Sequence, residues 1–180
     1  MNAHRRGRPP AVALINPKYP HNVGAVLRAC SCWGARQLWW TGDRVSLNLP
    51  RGERLPREER LRGYRDVEMI IDDDLFDRFE RGSVTPVAVE VLPTAEPLVS
   101  FDHPEDALYV FGPEDGGLPK AVRVLCHRFV FIPTHHCLNL AAAVNVVLYD
   151  RRLKRHLSGR EPLGPLRDVL HEQRGPVSRV

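Results

Sequence analysis

Along this chain, short runs of consecutive apolar residues alternate with stretches in which apolar positions recur every three or four residues. The first pattern belongs to buried strands, the second to helices with one buried face. Ala11 to Ile15 is the first run, ended by Asn16-Pro17, and reads as a strand passing into a loop. Asn22 to Trp33 follows, with Val23, Val26, Leu27 and Cys30 at helical spacing and Gly34 as the stop. Gln37 to Trp40, Val67 to Ile71, Thr85 to Leu92, Ala107 to Phe111 and Phe129 to Ile132 supply further strands. Asp74 to Glu80 reads as a short helix begun by acidic residues, and Leu118 to Cys126 as a helix with Pro119 in its first turn. Leu138 to His156 is a long helix, apolar nearly all round over its first three turns. Such a helix is buried in the core or against a second subunit.

Strands alternating with helices predict an α/β fold, a mostly parallel sheet flanked by helices. Ligands of such sheets bind beyond the carboxyl ends of the strands. Between Gly42 and Tyr64 the chain is polar and arginine-rich, with Pro50 and Pro56 as breakers, and reads as a long functional loop. The pattern divides the chain into a basic arm over 1–10, one folded domain over 11–157 and a Gly- and Pro-containing tail over 158–180.

Composition narrows the class of protein. Apolar residues make up 43% of the 180 and charged residues 27%, the balance of a soluble globular chain. No apolar run is long enough to span a membrane, and the start lacks the apolar stretch of a signal peptide. The expected location is the cytoplasm, where Cys30, Cys32, Cys126 and Cys137 are free thiols. Cys126, His127, His135, His136 and Cys137 are zinc-ligand types, but they match no standard zinc spacing, so no metal is expected.

Net charge is +4, and of the 26 basic residues only Lys18, Lys120 and Lys154 are lysine. Guanidinium groups grip phosphates bidentately and stack on bases, which suits a polyanionic partner such as RNA. Three clusters stand out: Arg5, Arg6 and Arg8; Arg51, Arg54, Arg57, Arg60, Arg62 and Arg65; and Arg151, Arg152, Lys154 and Arg155. A solvated surface would show the same clusters, with Glu53, Glu58 and Glu59 pairing in the second.

Three blocks carry candidate chemistry. The first is Asn16-Pro17 followed by His21-Asn22-Val23-Gly24-Ala25-Val26-Leu27-Arg28. Asn22 is placed to cap a helix, and Arg28 is near enough to the helix start to reach past the strand ends. An ordinary capped helix with a surface arginine would look the same. The second block, Phe111-Gly112-Pro113-Glu114-Asp115-Gly116-Gly117-Leu118-Pro119, is a strand running into a glycine-rich turn. Its glycines expose backbone groups to a ligand, and its acids disfavour a phosphate. The third, Ile132-Pro133-Thr134-His135-His136-Cys137-Leu138-Asn139, ends at the start of the apolar helix, where Asn139 is a natural cap.

Taken in order, N-x-G-x-x-x-R, F-G-P-E-x-x-G-L and I-P-x(3)-C-L-N resemble the three signature motifs of the SpoU/TrmH family of SPOUT methyltransferases. The likeness covers roughly Ala11 to Arg155 and is strongest to short members without an added RNA-binding domain. It implies an α/β SPOUT fold with a C-terminal trefoil knot, a homodimer, and transfer of methyl from S-adenosylmethionine to a ribose 2′-hydroxyl of RNA, tRNA ahead of rRNA. By motif matching the cofactor contacts fall on Gly112, Ile132, Cys137 and Leu138, and on Val89 or Glu90 at a strand end. Arg28 becomes the central catalytic residue, with Asn22, Glu114 and Asn139 arranging the site. Guanidinium is effectively always protonated, so Arg28 is expected to stabilise charge on O2′ rather than to take its proton. One departure is plain: Cys137 stands where the family usually has serine. Two other readings stay open, a SPOUT enzyme that methylates a base nitrogen and an RNA-binding module without turnover.

Overall fold

In the first strand, Val12 and Leu14 turn to one face of the sheet while Ala11, Ala13 and Ile15 turn to the other, and all five are buried. A strand covered on both faces needs no polar alternation, which is why this segment is an unbroken apolar run. The protein is described by a computed structural model covering residues 10–45, 66–79 and 83–165. Its strands are β1 (Ala11–Leu14), β2 (Gln37–Trp40), β3 (Glu68–Ile71), β4 (Thr85–Val89), β5 (Glu96–Pro97), β6 (Ala107–Phe111) and β7 (Arg128–Phe131). They form one sheet in the order β3-β2-β1-β6-β4-β7-β5, with every pairing parallel. The expected α/β architecture is present.

Two helices cover one face. Helix α1 (Pro20–Trp33) and helix α3 (Leu140–Leu157) pack on each other and on Val12, Leu14, Leu38, Trp40, Tyr109 and Phe111. Trp33 binds them together, donating its indole N–H to Asn145 Oδ1 at 3.0 Å and meeting Tyr149 edge-on. The other face holds a smaller core of Ala13, Trp39, Leu75, Leu108, Val110, Leu118 and Cys126. It is covered by a 3-10 turn over Leu75–Arg78 and by α2 (Lys120–Arg123).

Several boundaries moved. Helix α1 begins at Pro20, a favoured first helical residue, so Asn22 lies inside its first turn and is not a cap. Its end is as expected: Gly34 is left-handed at φ 78° and Ala35 N–H donates to Cys30 O. The expected helix over 118–126 has only one α turn. Beyond Arg123 the bonds tighten to i−3 spacing, Leu125 to Val122 and Cys126 to Arg123. The acidic helix after β3 is a 3-10 turn. β5 had no signature, being two residues long and ending in Pro97.

The basic arm, the arginine-rich loop from residue 46 and the tail from residue 166 lie outside the described residues. In the third basic cluster, Arg151, Lys154 and Arg155 are engaged within the protein. Arg151 is 4% exposed and donates to Glu105 O, Arg155 pairs with Glu105 and Glu161, and Lys154 binds Asp150 and the carbonyls of Leu98 and Phe101. These cations fasten α3 to the loop before β6.

Candidate active site at the carboxyl edge of the sheet

Val89 registers with Phe111 on one side and with Val130 on the other. The ends of β6, β4 and β7 are therefore level, and Gly112, Glu90 and the Phe131–Ile132 end of β7 lie side by side along one edge. The loop 133–139 leaves this edge, exposing Cys137 and Leu138 before α3 begins. All of the candidate cofactor residues, Val89, Glu90, Gly112, Ile132, Cys137 and Leu138, thus belong to one contiguous rim.

The turn between β6 and α2 folds back on itself at this rim. A Cβ on Gly112 would sit 3.0 Å from Gly117 C and Leu118 N, and one on Gly117 would sit 2.8 Å from Glu90 Oε2. Gly112 needs glycine because backbone approaches it closely, whereas at Gly117 the close neighbour is the Glu90 side-chain carboxylate. Glu90 holds the turn in place, its Oε2 accepting from Leu118 N–H at 2.6 Å. The result is a tight backbone-lined cradle with the apolar Ile132 and Leu138 beside it. Such a rim offers main-chain groups and apolar side chains to a ligand.

Next to the cradle, three of the four expected catalytic residues are joined in one directed chain. The amides of Ala141 and Ala142 donate to Asn139 Oδ1 at 2.9 and 3.3 Å, so Asn139 caps α3 as its sequence position suggested. Asn139 Nδ2 donates to Asn22 Oδ1 at 2.9 Å, and Asn22 Nδ2 donates to Glu114 Oε1 at 2.6 Å. Glu114 Oε2 accepts from Lys18 N–H at 2.7 Å. Asn22 is 3% exposed, and each of its amide atoms has a partner, as burial demands.

Glu114, in the turn after β6, thereby places an anion near the amino end of α1, whose own amides receive no side-chain cap. Burial pushes its carboxyl up, but bonds from Asn22 and from main-chain N–H groups of Lys18, Glu114 and Tyr19 outweigh this and hold it below the usual value. Glu114 is an anionic anchor.

Arg28 lies on the exposed face of α1, on the stripe that includes His21 and Ala25. It is six residues beyond Asn22, about 9 Å along the helix axis.

One cluster had no sequence signal. Arg44 makes a bidentate pair with Asp115, at 3.1 and 2.7 Å, and also donates to Asn16 O. Lys18 Nζ reaches the same Asp115 Oδ2 at 3.3 Å. Adjacent acids, Glu114 and Asp115, thus tie the turn after β6 to the loops following β1 and β2. Asn16 has φ 46°, and Gly42 has φ 80° with a Cβ position only 2.3 Å from Asn16 Oδ1.

The thiols divide by setting. Burial pushes Cys30 up to about 12 and Cys126 up to about 11, which makes both inert. Cys137 is exposed in the rim loop. Among the described residues, no helix is long and apolar enough to cross a membrane.

A parallel sheet with a glycine-built cradle and an Asn–Asn–Glu chain at its carboxyl edge is the frame of a ligand-binding α/β enzyme. The chain belongs to the SpoU rRNA Methylase family, whose model matches residues 9–149. It is 27% identical over 175 residues to the tRNA (guanosine(18)-2′-O)-methyltransferase of Thermus thermophilus, covering 89% of this chain and 85% of that one. It is 24% identical over 159 residues to the tRNA (cytidine(34)-2′-O)-methyltransferase of Methylovorus glucosotrophus, covering 82% and 97%. In fold it resembles the SpoU methyltransferase AviRb of Streptomyces viridochromogenes, solved with AdoMet, at a TM-score of 0.66 and 24% identity. That match covers 83% of this chain and 61% of the longer AviRb chain.

Proposed function

We propose that this protein is an S-adenosylmethionine-dependent RNA 2′-O-methyltransferase acting on tRNA. The observation that carries the reading is the directed chain Ala141/Ala142–Asn139–Asn22–Glu114 beside the Gly112–Leu118 cradle. It assembles residues from all three family motifs at one rim, and two relatives are named for the same reaction on tRNA. S-adenosylmethionine fits the cradle. Main-chain groups at Gly112, Ile132, Cys137 and Leu138 and at the Val89–Glu90 strand end would hold it, and it would supply a methyl group on a positively charged sulfur. A main-chain contact at Cys137 survives the change from serine.

The protein's share of the reaction is positioning and charge. The bound cofactor would supply its methyl group to a ribose O2′, and the hydroxyl proton would leave to water or a phosphate oxygen. Asn22 and Asn139, locked by Glu114, fix the rim against which the ribose is set. Arg28 stabilises the negative charge growing on O2′ and clamps the adjacent phosphate; its fixed positive charge makes it no proton acceptor.

The family's trefoil knot and homodimer belong to the same reading. Val89 and Glu96 both register with Val130, so β4 and β5 flank β7 and the 90–95 connection joins them, an arrangement in keeping with a threaded C-terminal segment. One SPOUT domain over 11–157 works in the cytoplasm, with no metal required. The test is to incubate the protein with methyl-labelled S-adenosylmethionine and total tRNA, digest to nucleosides and analyse by mass spectrometry. A 2′-O-methylated nucleoside is expected. A methyl group on a base, or none transferred, overturns the reading.

A further inference from the structure

Lys18 and Arg44 come from different loops, and both direct their charge at one oxygen, Asp115 Oδ2, at 3.3 and 2.7 Å. Two carboxylates, Asp115 and the adjacent Glu114, balance these two cations, so it is displacement of Asp115 that frees their charge for another anion. Each cation has a further contact besides Asp115. Arg44 is also held by Asn16 O at 3.3 Å, and Lys18 lies over the Tyr19 ring at 5.2 Å. Asp115 is half exposed, at 46%, so a solvent-borne anion can reach the pair. The fork geometry Arg44 shows toward this carboxylate is the one a guanidinium offers a phosphate. The neighbouring residue, Glu114, anchors the amide chain at the rim.

We propose that Lys18 and Arg44 form a binding site for a backbone phosphate of the RNA strand, and that Asp115 occupies it as an internal stand-in until the RNA displaces it. The inference rests on the RNA-modifying reading above and adds to it a phosphate contact and a built-in competitor. Free protein then presents a closed ion-pair cluster at the mouth of the site. A strand that delivers a phosphate here also sets its ribose beside Asn22 and Asn139, whereas a stray anion gains only the one contact. Asp115 therefore raises the threshold for unproductive binding. The fully ionised state of Asp115, held down to about 2 chiefly by Arg44, keeps the competitor active at all ordinary pH values.

The proposal requires opposite signs from two substitutions in one ion pair. Binding of labelled total tRNA is measured by fluorescence anisotropy over a range of salt concentrations, for the full chain and for Arg44→Ala, Asp115→Asn and the double variant. Arg44→Ala is expected to weaken binding about tenfold and to flatten the dependence of log K on log salt by about 0.7 to 1, one lost phosphate contact. Asp115→Asn is expected to tighten binding severalfold and to steepen that slope. The double variant should bind between Arg44→Ala and Asp115→Asn, because Lys18 still faces residue 115 once Arg44 is gone. Melting temperatures of the three variants show whether each still folds, and Lys18→Ala serves as the second probe should Arg44→Ala unfold. If Asp115→Asn weakens binding or leaves it unchanged, Asp115 is only a fastening between loops and the proposal is overturned. If the unaltered protein transfers methyl to tRNA while these variants move together, the inference fails alone. If the unaltered protein neither binds nor methylates tRNA, both fail.

Discussion

At the scale of single residues, the site depends on the direction of its hydrogen bonds. Helix amides donate to Asn139, Asn139 to Asn22, and Asn22 to Glu114, whose second oxygen accepts from Lys18 N–H. Every step ends on the carboxylate, which can only accept. Glu114→Gln keeps the shape but puts an amide donor against one of these donors, and a mispaired charged hydrogen bond costs about 1.5–3 kcal/mol. Steady-state methylation should show kcat reduced on the order of tenfold or more. Because the folded carboxyl of Glu114 is held below its ordinary 4.5, its contribution is complete above that value. It is lost only as pH falls through the lower folded one. Between pH 8 and 5 that contribution is constant, so any change of melting temperature with pH in this range should owe nothing to Glu114. The sequence offered these residue types at the right edge but misassigned Asn22. An asparagine near a helix start reads as a cap, while its real partners stand 92 and 117 residues away. Lys18, Arg44 and Asp115 were invisible for the same reason, since pairing across 71 residues has no local pattern.

At the scale of elements, apolar runs located β1, β2 and β6 well because buried parallel strands tolerate little else. They failed at β5, where Pro97 cannot donate to a ladder and two residues carry no period. They also missed the polar joint between β6 and α3. Tyr109 Oη lies 2.6 Å from His103 Nδ1, and His103 Nε2 lies 2.7 Å from Asp150 Oδ2, which also meets Lys154. Neutral His103 satisfies both ends, accepting from the Tyr109 hydroxyl and donating to Asp150. Burial lowers His103 below its ordinary 6.5, with the Asp150 bond opposing. The sign follows: the folded protein holds the proton less readily than the unfolded chain. Stability from this joint is therefore present above 6.5 and lost as pH falls below it. Tyr109→Phe strands the buried Nδ1 and should cost about 1–3 kcal/mol, read as a lower melting temperature at pH 7.5. In the unaltered protein, His103 should contribute a fall in melting temperature between pH 7.5 and 5.

At the scale of the whole molecule, helix α3 has two faces with different obligations. Leu140, Ala141, Val144, Val147 and Leu148 are buried against α1 and the sheet. Val146, Tyr149, Leu153 and Leu157 form a second stripe at spacings of three and four, and they are 37%, 51%, 37% and 75% exposed. The same helix starts at Asn139, so whatever covers the second stripe also bears on the active rim. This is the physical content of the near-continuous apolar pattern in the sequence, which left a core and a subunit contact both open; the structure assigns one face to the core. Under the proposed homodimer, the other face meets a second copy. Each fully covered Leu side chain then contributes about 1.5–3 kcal/mol, whereas a carboxylate there must be desolvated without a partner. Leu153→Glu is thus expected to convert a dimer to a monomer in light scattering while leaving the circular dichroism of the fold intact. Methylation should fall with it if α3 needs a neighbour to hold Asn139 in place. A Leu153→Glu protein that remains dimeric, or an unaltered protein that is monomeric at micromolar concentration, would show that this stripe is not the subunit contact.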